Sequence, residues 1–373
     1  RITLKAKMSM LFPMLMESTF LITPFEKVFH ILYKDIFNLK YMAIIIGIES
    51  TAHTFGVGIV KDGKILSNVK DTYTTEKGGI IPVDAAKHHK EKALEIYEKS
   101  LNDAKIKEED IDAIAFSQGP GLSPCLLEGM RFTKGLALKL KKPIVPVNHC
   151  IAHLEVGKIT GSKDPVMLYV SGANTQVIAY SSGKYRIFGE TLDVGVGNFI
   201  DNFARFLGIG FPGGPKIQKI AEEGERYIEL PYTVKGMDIA LSGILTNLKQ
   251  KVDSKNYSNE DLAYSMQETV FAMLVEVAER ALAYTGKSEL LLAGGVACNS
   301  RLREMAKKMC GERLKKTELF VPENSLLVDN GAMIAYAGEI LFKNGDFVEI
   351  KDLDKIDIKP RQRTDDVEVS WRK

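Results

Sequence analysis

The chain has 373 residues, 45% of them apolar and 26% charged, with 50 Lys and Arg set against 48 Asp and Glu for a net charge of +2. That length exceeds the usual size of one hydrophobic core, so two domains are expected in a protein of ordinary soluble composition. So small a net charge excludes nucleic-acid binding by bulk charge, and any RNA contact needs a local basic patch or a partner protein.

The four cysteines, Cys125, Cys150, Cys298 and Cys310, are far apart with no Cys-x-x-Cys pair. This excludes a disulfide framework and a four-cysteine zinc site, and reduced thiols fit a cytoplasmic protein. Met8 to Phe25 is rich in Met, Phe and Leu, but Pro13, Glu17 and Pro24 interrupt it. It reads neither as a spanning helix nor as a cleavable leader, so no membrane association is expected. The sequence begins with Arg1, and Met42 stands directly before the first convincing strand. Residues 1–41 are therefore expected to be an N-terminal extension outside the core.

From Met42 the pattern is α/β. Ile44 to Ile48 is a buried-strand run, Glu49 to His53 a polar turn, and Gly56 to Val60 a second strand; Asp62-Gly63-Lys64 is a hairpin turn into a third strand from Ile65. A helix is expected from Asp84 to Asn102, with Asp84 as its cap and Ala85, Leu94 and Tyr97 on its apolar face. His88 and His89 cannot share one helix face and read as a solvated or cleft-lining pair. Ile111 to Phe116 is a strand ending in the glycine-rich run Ser117 to Ser123, a shape suited to an anion. A helix carrying Leu126, Met130 and Leu136 follows, and the strand Pro143 to Val147 delivers His149.

A second meander repeats the plan: Val166 to Val170, the turn Ser171 to Asn174, Gln176 to Tyr180, the turn Ser182 to Lys184, then Tyr185 to Phe188. Two related α/β domains are expected. Further on, Asp193 to Asn198 and Phe211 to Pro215 frame a helix containing Asp201, and Glu260 to Thr285 reads as one long amphipathic helix or two. Glu289 to Ala293 is a strand running into Gly294-Gly295, a helix begins near Asn299, and Glu318 to Pro322 is the last strand. A final helix opens after Asp329, and the tail from Lys351 is charged, with Lys359 to Arg363 read as a solvated basic stretch.

The chemistry concentrates around His149-Cys-Ile-Ala-His153. Histidines spaced i, i+4 stack on one helix face and can converge on one cation, or can be two ordinary half-buried side chains. Two more donors are needed. Asp329, just before a helix, is either an N-cap or a hard oxygen donor; Tyr169 lies on a strand, where packing is the usual role. The Ser171-Gly172-Ala173-Asn174 turn suits an anion, and a metal beside it suggests group transfer. There is no Gly-x-x-x-x-Gly-Lys-Ser/Thr loop and no Gly-x-Gly-x-x-Gly turn, and Cys150 stands where a zinc peptidase needs its glutamate.

Taken in order, Gly47-Ile-Glu-Ser-Thr-Ala-His53, Gly78-Gly79, His88-His89, Gly119-Pro-Gly-Leu122, Asn148-His-Cys-Ile-Ala-His153, Leu168-Tyr-Val-Ser-Gly-Ala-Asn-Thr-Gln176, Asp193-Val-Gly-Val-Gly-Asn198, Pro212-Gly-Gly-Pro215, Lys235-Gly-Met-Asp238, Gly294-Gly-Val-Ala-Cys-Asn-Ser-Arg-Leu302 and Asp329-Asn-Gly-Ala-Met333 resemble the TsaD family of tRNA adenosine threonylcarbamoyltransferases. The resemblance is to the archaeal and eukaryotic branch that works in the KEOPS complex, a family once named for O-sialoglycoprotein endopeptidase activity.

It implies an actin/sugar-kinase/heat-shock-ATPase-like fold of two duplicated α/β domains with an interdomain cleft. The domains would span 42–165 and 166–334, with a return segment 335–373 packing on the first. It implies one metal on His149, His153, Tyr169 and Asp329, iron first, with zinc or magnesium as alternatives. His149, His153 and Asp329 would then be catalytic, and Tyr169, Val170, Ser171, Gly172, Ala173, Asp201, Gly214, Gln218 and Asn299 would contact substrate and adenine nucleotide. Ala173, Gln218 and Ala240-Leu241 depart from the family pattern. The implied reaction moves threonylcarbamoyl from its adenylate to the exocyclic amine of the adenosine 3′ of the anticodon, in tRNAs reading codons that start with A. The implied partners are tRNA and KEOPS subunits, including a small atypical protein kinase. The competing readings are an ATPase or kinase-like enzyme, the old peptidase, and a non-catalytic nucleotide-binding subunit.

Overall fold

Two meanders with the same turn chemistry organise the molecule. In a computed structural model describing residues 43–75 and 79–372, β1 (Ile44–Glu49), β2 (Thr54–Lys61) and β3 (Lys64–Thr72) run antiparallel. The β2–β3 turn places Asp62 at φ 49° and Gly63 at φ 70°, the positive pair that matches the twist of a tight hairpin. The expected extension 1–41 and Gly78 lie outside the described residues. Next come α1 (Pro82–Ala104), β4 (Ala113–Gly119), α2 (Ser123–Leu140), β5 (Ile144–Asn148) and α3 (His149–Gly157).

The plan then repeats. β6 (Val166–Val170), β7 (Thr175–Ser181) and β8 (Lys184–Glu190) form the second meander, whose β7–β8 turn has Ser182 at φ 51° and Gly183 at φ 81°. After it come α4 (Val196–Phe206), α5 (Gly214–Ala221), the short pair β9 (Val234–Lys235) and β10 (Asp238–Ile239), α6 (Ser242–Ser254) and α7 (Asn259–Thr285). The chain ends through β11 (Glu289–Ala293), α8 (Ser300–Glu312), β12 (Glu318–Phe320), α9 (Asn324–Leu327) and α10 (Gly331–Asn344).

The first sheet has the order β3-β2-β1-β4-β5 and the second β12-β11-β6-β7-β8. Read from its other edge, the second is the first over again, with two antiparallel joints in the meander and two parallel joints beyond it. This is the expected duplication.

Strand alternation assigns the cores. Ile46 and Ile48 of β1 pack with Phe55, Ile96, Tyr97 and Leu136 beneath α1 and α2, whereas Ile45 packs with Val145, Ala152, Met333 and Ala337 beneath α3 and α10. α10 lies almost backbone-on-backbone against β1 and β2. A Cβ on Gly58 would fall 2.2 Å from Ala332 N, and one on Gly331 would fall 2.3 Å from Gly58 N. Every residue of α3 is buried, because it is wedged between the sheets: Ala152 and Val156 face the first core, and Cys150, Ile151 and Leu154 join Met167, Tyr169 and Leu291 of the second.

Several local readings are corrected. α1 starts at Pro82 behind Ile81, so Asp84 sits in the first turn instead of capping, and Leu94 is exposed while Ala93 and Ile96 carry the buried face. β4 starts at Ala113, two residues after the expected Ile111. Asn259–Thr285 is a single helix, capped by Ser258. The segment after Lys351 is no solvated tail: Val367, Val369 and Trp371 pack on the second sheet's inner face, and Arg363 pairs with Glu190 at 3.4 Å. Among the described residues no helix is long and apolar enough to cross a membrane.

Candidate metal centre

β5 ends at Asn148, whose carboxamide oxygen accepts from Ile151 N and so starts α3 at His149. One turn later His153 lies on the same face, its ring centroid 4.9 Å from that of His149. Asp329 reaches both. Its Oδ1 lies 3.4 Å from His149 Nε2 and 3.5 Å from His153 Nε2. Asp329 is not the cap of α10, because that position belongs to Asn330, which accepts from Met333 N at 2.9 Å. Tyr169, near the end of β6, brings its hydroxyl within 3.2 Å of His149 Nε2. The structure thus gathers all four expected ligands between the sheets, and the donor atoms of His149, His153 and Asp329 lie within 4.8 Å of one another.

Whether these residues suit a metal is decided by His153. Both of its ring nitrogens are buried without a hydrogen-bond partner. Buried imidazole nitrogens are costly to leave so, and a cation among two imidazoles, a carboxylate and a phenol oxygen would satisfy them. Burial opposes charge on Asp329, but the two imidazoles beside it, His149 before His153, hold its carboxyl well below the usual range. Burial lowers His153 and raises Tyr169, so both are held neutral. Burial lowers His149 too, yet the charges of Glu49 and Asp329 prevail and lift it above its ordinary value.

The expected nucleotide residues fall beyond the four expected ligands, on the second sheet's side. The turn after Tyr169 and Val170 is closed by Asn174 O, which accepts from Ser171 N at 2.9 Å, and it leaves Gly172 and Ala173 exposed. Its carbonyls are engaged, since Gly197 N donates to Ser171 O and Asn198 N to Gly172 O. Gly294, at φ +88°, lets β11 leave beside this turn: a Cβ there would lie 2.3 Å from Val170 O. Asp201 on α4 accepts from Gly213 N at 2.7 Å, fixing the Gly213-Gly214 entry to α5, and burial raises its carboxyl. Gln218 donates to Ser300 Oγ at 2.9 Å. Asn299 caps α8 through Arg301 N and Leu302 N while its amide donates to Gln267.

A family model for TsaD, tRNA N6-adenosine threonylcarbamoyltransferase, matches residues 64–336. The chain belongs to the TsaD family. It is 57% identical over 328 residues to the tRNA N6-adenosine threonylcarbamoyltransferase of Thermococcus sibiricus, covering 88% of this chain and 100% of that one. It is 46% identical over 350 residues to a probable tRNA N6-adenosine threonylcarbamoyltransferase of Drosophila melanogaster, covering 89% and 99%. It is also similar to a probable bifunctional tRNA threonylcarbamoyladenosine biosynthesis protein of Methanosarcina mazei, 52% identical over 333 residues, covering 88% of this chain but 60% of that one. In fold alone it resembles the crystal structure of HypF from T. kodakarensis, with a TM-score of 0.57 at 15% identity, covering 84% of this chain and 49% of that one.

Within this TsaD chain two readings of the sequence change. The Ser117 to Ser123 turn is not open to an anion: Gly121 N donates to Pro360 O and Leu122 N to Thr51 O, while Lys359 N donates to Gln118 O. His89 is fully buried, with Nε2 3.0 Å from Ala52 O, and His88 pairs with Asp71 at 2.6 Å, so neither is a free cleft histidine. Two functional neighbours went unnoticed. Lys70 Nζ donates to Asp329 O at 3.4 Å, and Glu49, assigned only to a polar turn, is fully buried against His149. The available signal was an acid directly after the apolar run of β1, since a carboxylate there has to be paired.

Proposed function

We propose that this chain transfers the threonylcarbamoyl group of threonylcarbamoyl-adenylate to the exocyclic amine of the adenosine 3′ of the anticodon, in tRNAs reading codons that start with A. The transfer would take place at a metal held by His149, His153, Tyr169 and Asp329. As a TsaD member the chain is a transferase of tRNA modification. The observation carrying the metal is His153, buried with both ring nitrogens unpartnered and Nε2 3.5 Å from the Asp329 carboxylate. When bound, the ion supplies Lewis-acid polarisation of the carbamoyl carbonyl, which a weakly nucleophilic aromatic amine needs.

The chain's own residues do the rest. α3, wedged between the cores, fixes both imidazoles, and the glycine contact of α10 fixes Asp329, so the ligand frame is built on rigid elements. On this reading Tyr169, Val170, Ser171, Gly172 and Ala173 line the acyl-adenylate, and Asp201, Gly214, Gln218 and Asn299 lie along its nucleoside end. Iron is the first candidate ion for this nitrogen and hard-oxygen set, with zinc or magnesium next.

The proposal extends to division of the fold near residue 165, the cytoplasm as the working compartment, and assembly with KEOPS subunits that include a small kinase. A peptidase reading is disfavoured by Glu155. That acid is 1% exposed and is held by Tyr185 OH, Trp371 Nε1 and Lys158 Nζ, so it has no freedom to activate water.

His153→Ala tests the centre. The variant should stay folded with a melting temperature lowered by the cavity it leaves, yet bind no ion and transfer nothing from synthetic threonylcarbamoyl-adenylate to tRNA, with or without partner subunits. A variant without metal that modified tRNA at the normal rate would overturn the proposal.

A further inference from the structure

We infer that Glu49 is a positioning residue that sets which ring nitrogen of His149 faces the metal; the inference rests on the metal reading above. Its two oxygens have separate tasks. Oε1 accepts from Thr51 N at 2.7 Å and from Thr51 Oγ1 at 2.5 Å, while Oε2 lies 3.0 Å from His149 Nδ1. Thr51 Oγ1 is also 3.3 Å from Nδ1, but its proton is committed to Glu49, so it cannot donate to the ring. An ionised carboxylate only accepts. Nδ1 therefore keeps its hydrogen, and a cation that displaces the proton on Nε2 meets a lone pair directed towards Asp329 and Tyr169. The end of β1 is fixed for this task, since Ser50 N donates to Ser117 Oγ at 3.0 Å and Glu49 itself is 0% exposed.

His153 has no such partner: its Nδ1 is unbonded. The two imidazoles are thus unequal, and His149 is the one whose orientation and basicity are set by an outer carboxylate, the arrangement that strengthens a histidine ligand.

Glu49→Gln separates charge and tautomer from shape. The two donors of Thr51 keep the amide oxygen where Oε1 was, so the NH2 group must face Nδ1. Nδ1 then has to accept, the ring hydrogen moves to Nε2, and the ligating lone pair is blocked.

Zn2+ titrated into metal-free protein should bind about 10- to 100-fold more weakly to the Glu49→Gln variant than to wild type. Thr51→Ser, which keeps both donors, should bind as wild type does. In Zn2+-loaded wild type labelled with 15N-histidine, the His149 ring should show a protonated Nδ1 whose hydrogen is shifted downfield by its bond to the Glu49 carboxylate, a signature a merely space-filling Glu49 would not produce. Equal Zn2+ affinity for wild type and Glu49→Gln overturns the inference while leaving the metal centre standing, and Zn2+ failing to bind wild type overturns both. If Glu49→Gln does not fold, the wild-type ring spectrum decides alone, and an unprotonated Nδ1 refutes the inference.

Discussion

Asp329 is held in place by a contact that contains no side chain. α10 begins two residues after it, and its first turn rests on β2 where Gly58 and Gly331 allow the backbones to touch. In Gly58→Ala the new Cβ would lie 2.2 Å from Ala332 N, where ordinary contact begins at 3.4 Å. The helix must retreat by roughly 1 Å, because the neighbouring atoms are backbone and have no rotamer to change. Overpacking of this kind costs about 1–3 kcal/mol. The functional loss should be larger in proportion: a carboxylate now 3.4 and 3.5 Å from the two imidazoles moves by a sizeable fraction of a ligand bond. A misplacement of about 1 Å costs on the order of 10²-fold in rate. Gly58→Ala should therefore lower Tm by several degrees, weaken metal binding, and cut tRNA modification by about two orders of magnitude, although it alters no ligand. Gly135→Ala in α2, where a Cβ meets nothing within 4 Å, should raise Tm slightly and leave metal binding and tRNA modification unchanged. Thermal denaturation, equilibrium dialysis against metal, and nucleoside analysis of modified tRNA read the three quantities. Wild-type metal affinity in a folded Gly58→Ala variant would refute the claim that this glycine contact places Asp329.

Two further outcomes follow from buried groups away from the metal. Burial, the neighbouring charge of His88 and, less, that of His53 lower His89 to about 4, against a weaker upward pull from its bond to Ala52 O. The unfolded chain takes up this proton below about pH 6.5 and the folded chain does not, so stability is full above that pH and is lost as pH falls towards 4, by up to about 3 kcal/mol. His89→Gln, which keeps a donor but cannot titrate, should remove that part of the acid dependence in urea melts from pH 7 to 4; an unchanged slope would contradict it. Trp371→Ala withdraws the indole N–H that donates to Glu155 at 3.0 Å and uncovers the second sheet's inner face. It should cost about 2 kcal/mol, below the range for fully buried tryptophans because this one is half-buried. Metal affinity should stay unchanged, and a loss of metal would show that the C-terminal segment also controls the centre.

What could be read from the residues depended on whether local chemistry had one answer or several. Asp62-Gly63 and Ser182-Gly183 admit few backbones besides a tight hairpin, so both meanders and the duplication were legible. The glycines of 117–123 admit many. Whether they cradle an anion or the chain itself depends on Lys359 and Pro360, whose backbone arrives from far along the sequence and occupies the turn. Asp329 and Asn330 are adjacent and equally good caps, and only the position of α3 releases the aspartate to face the histidines while the asparagine caps. Tyr169 was nominated by family resemblance alone, since a strand tyrosine carries no local mark of ligation.

The spacing of His149 and His153 was legible, but what the pair faces was not, for the same reason that the candidate centre is rigid. α3 is buried on every side, so it shows no amphipathic stripe to orient His149 and His153 in advance. Its direction is set by two cores at once, through Ala152 and Val156 on one side and Ile151 and Leu154 on the other. That double packing turns the imidazoles towards the place where β6 and the lead-in to α10 deliver a phenol and a carboxylate. Neither sheet builds the site alone: Glu49 and the histidines come with the first, Tyr169 with the second, and Asp329 at the start of the helix that returns to the first. A transferase of tRNA modification gains from this arrangement, because the relative placement of the two sheets then fixes how the four side chains face one another.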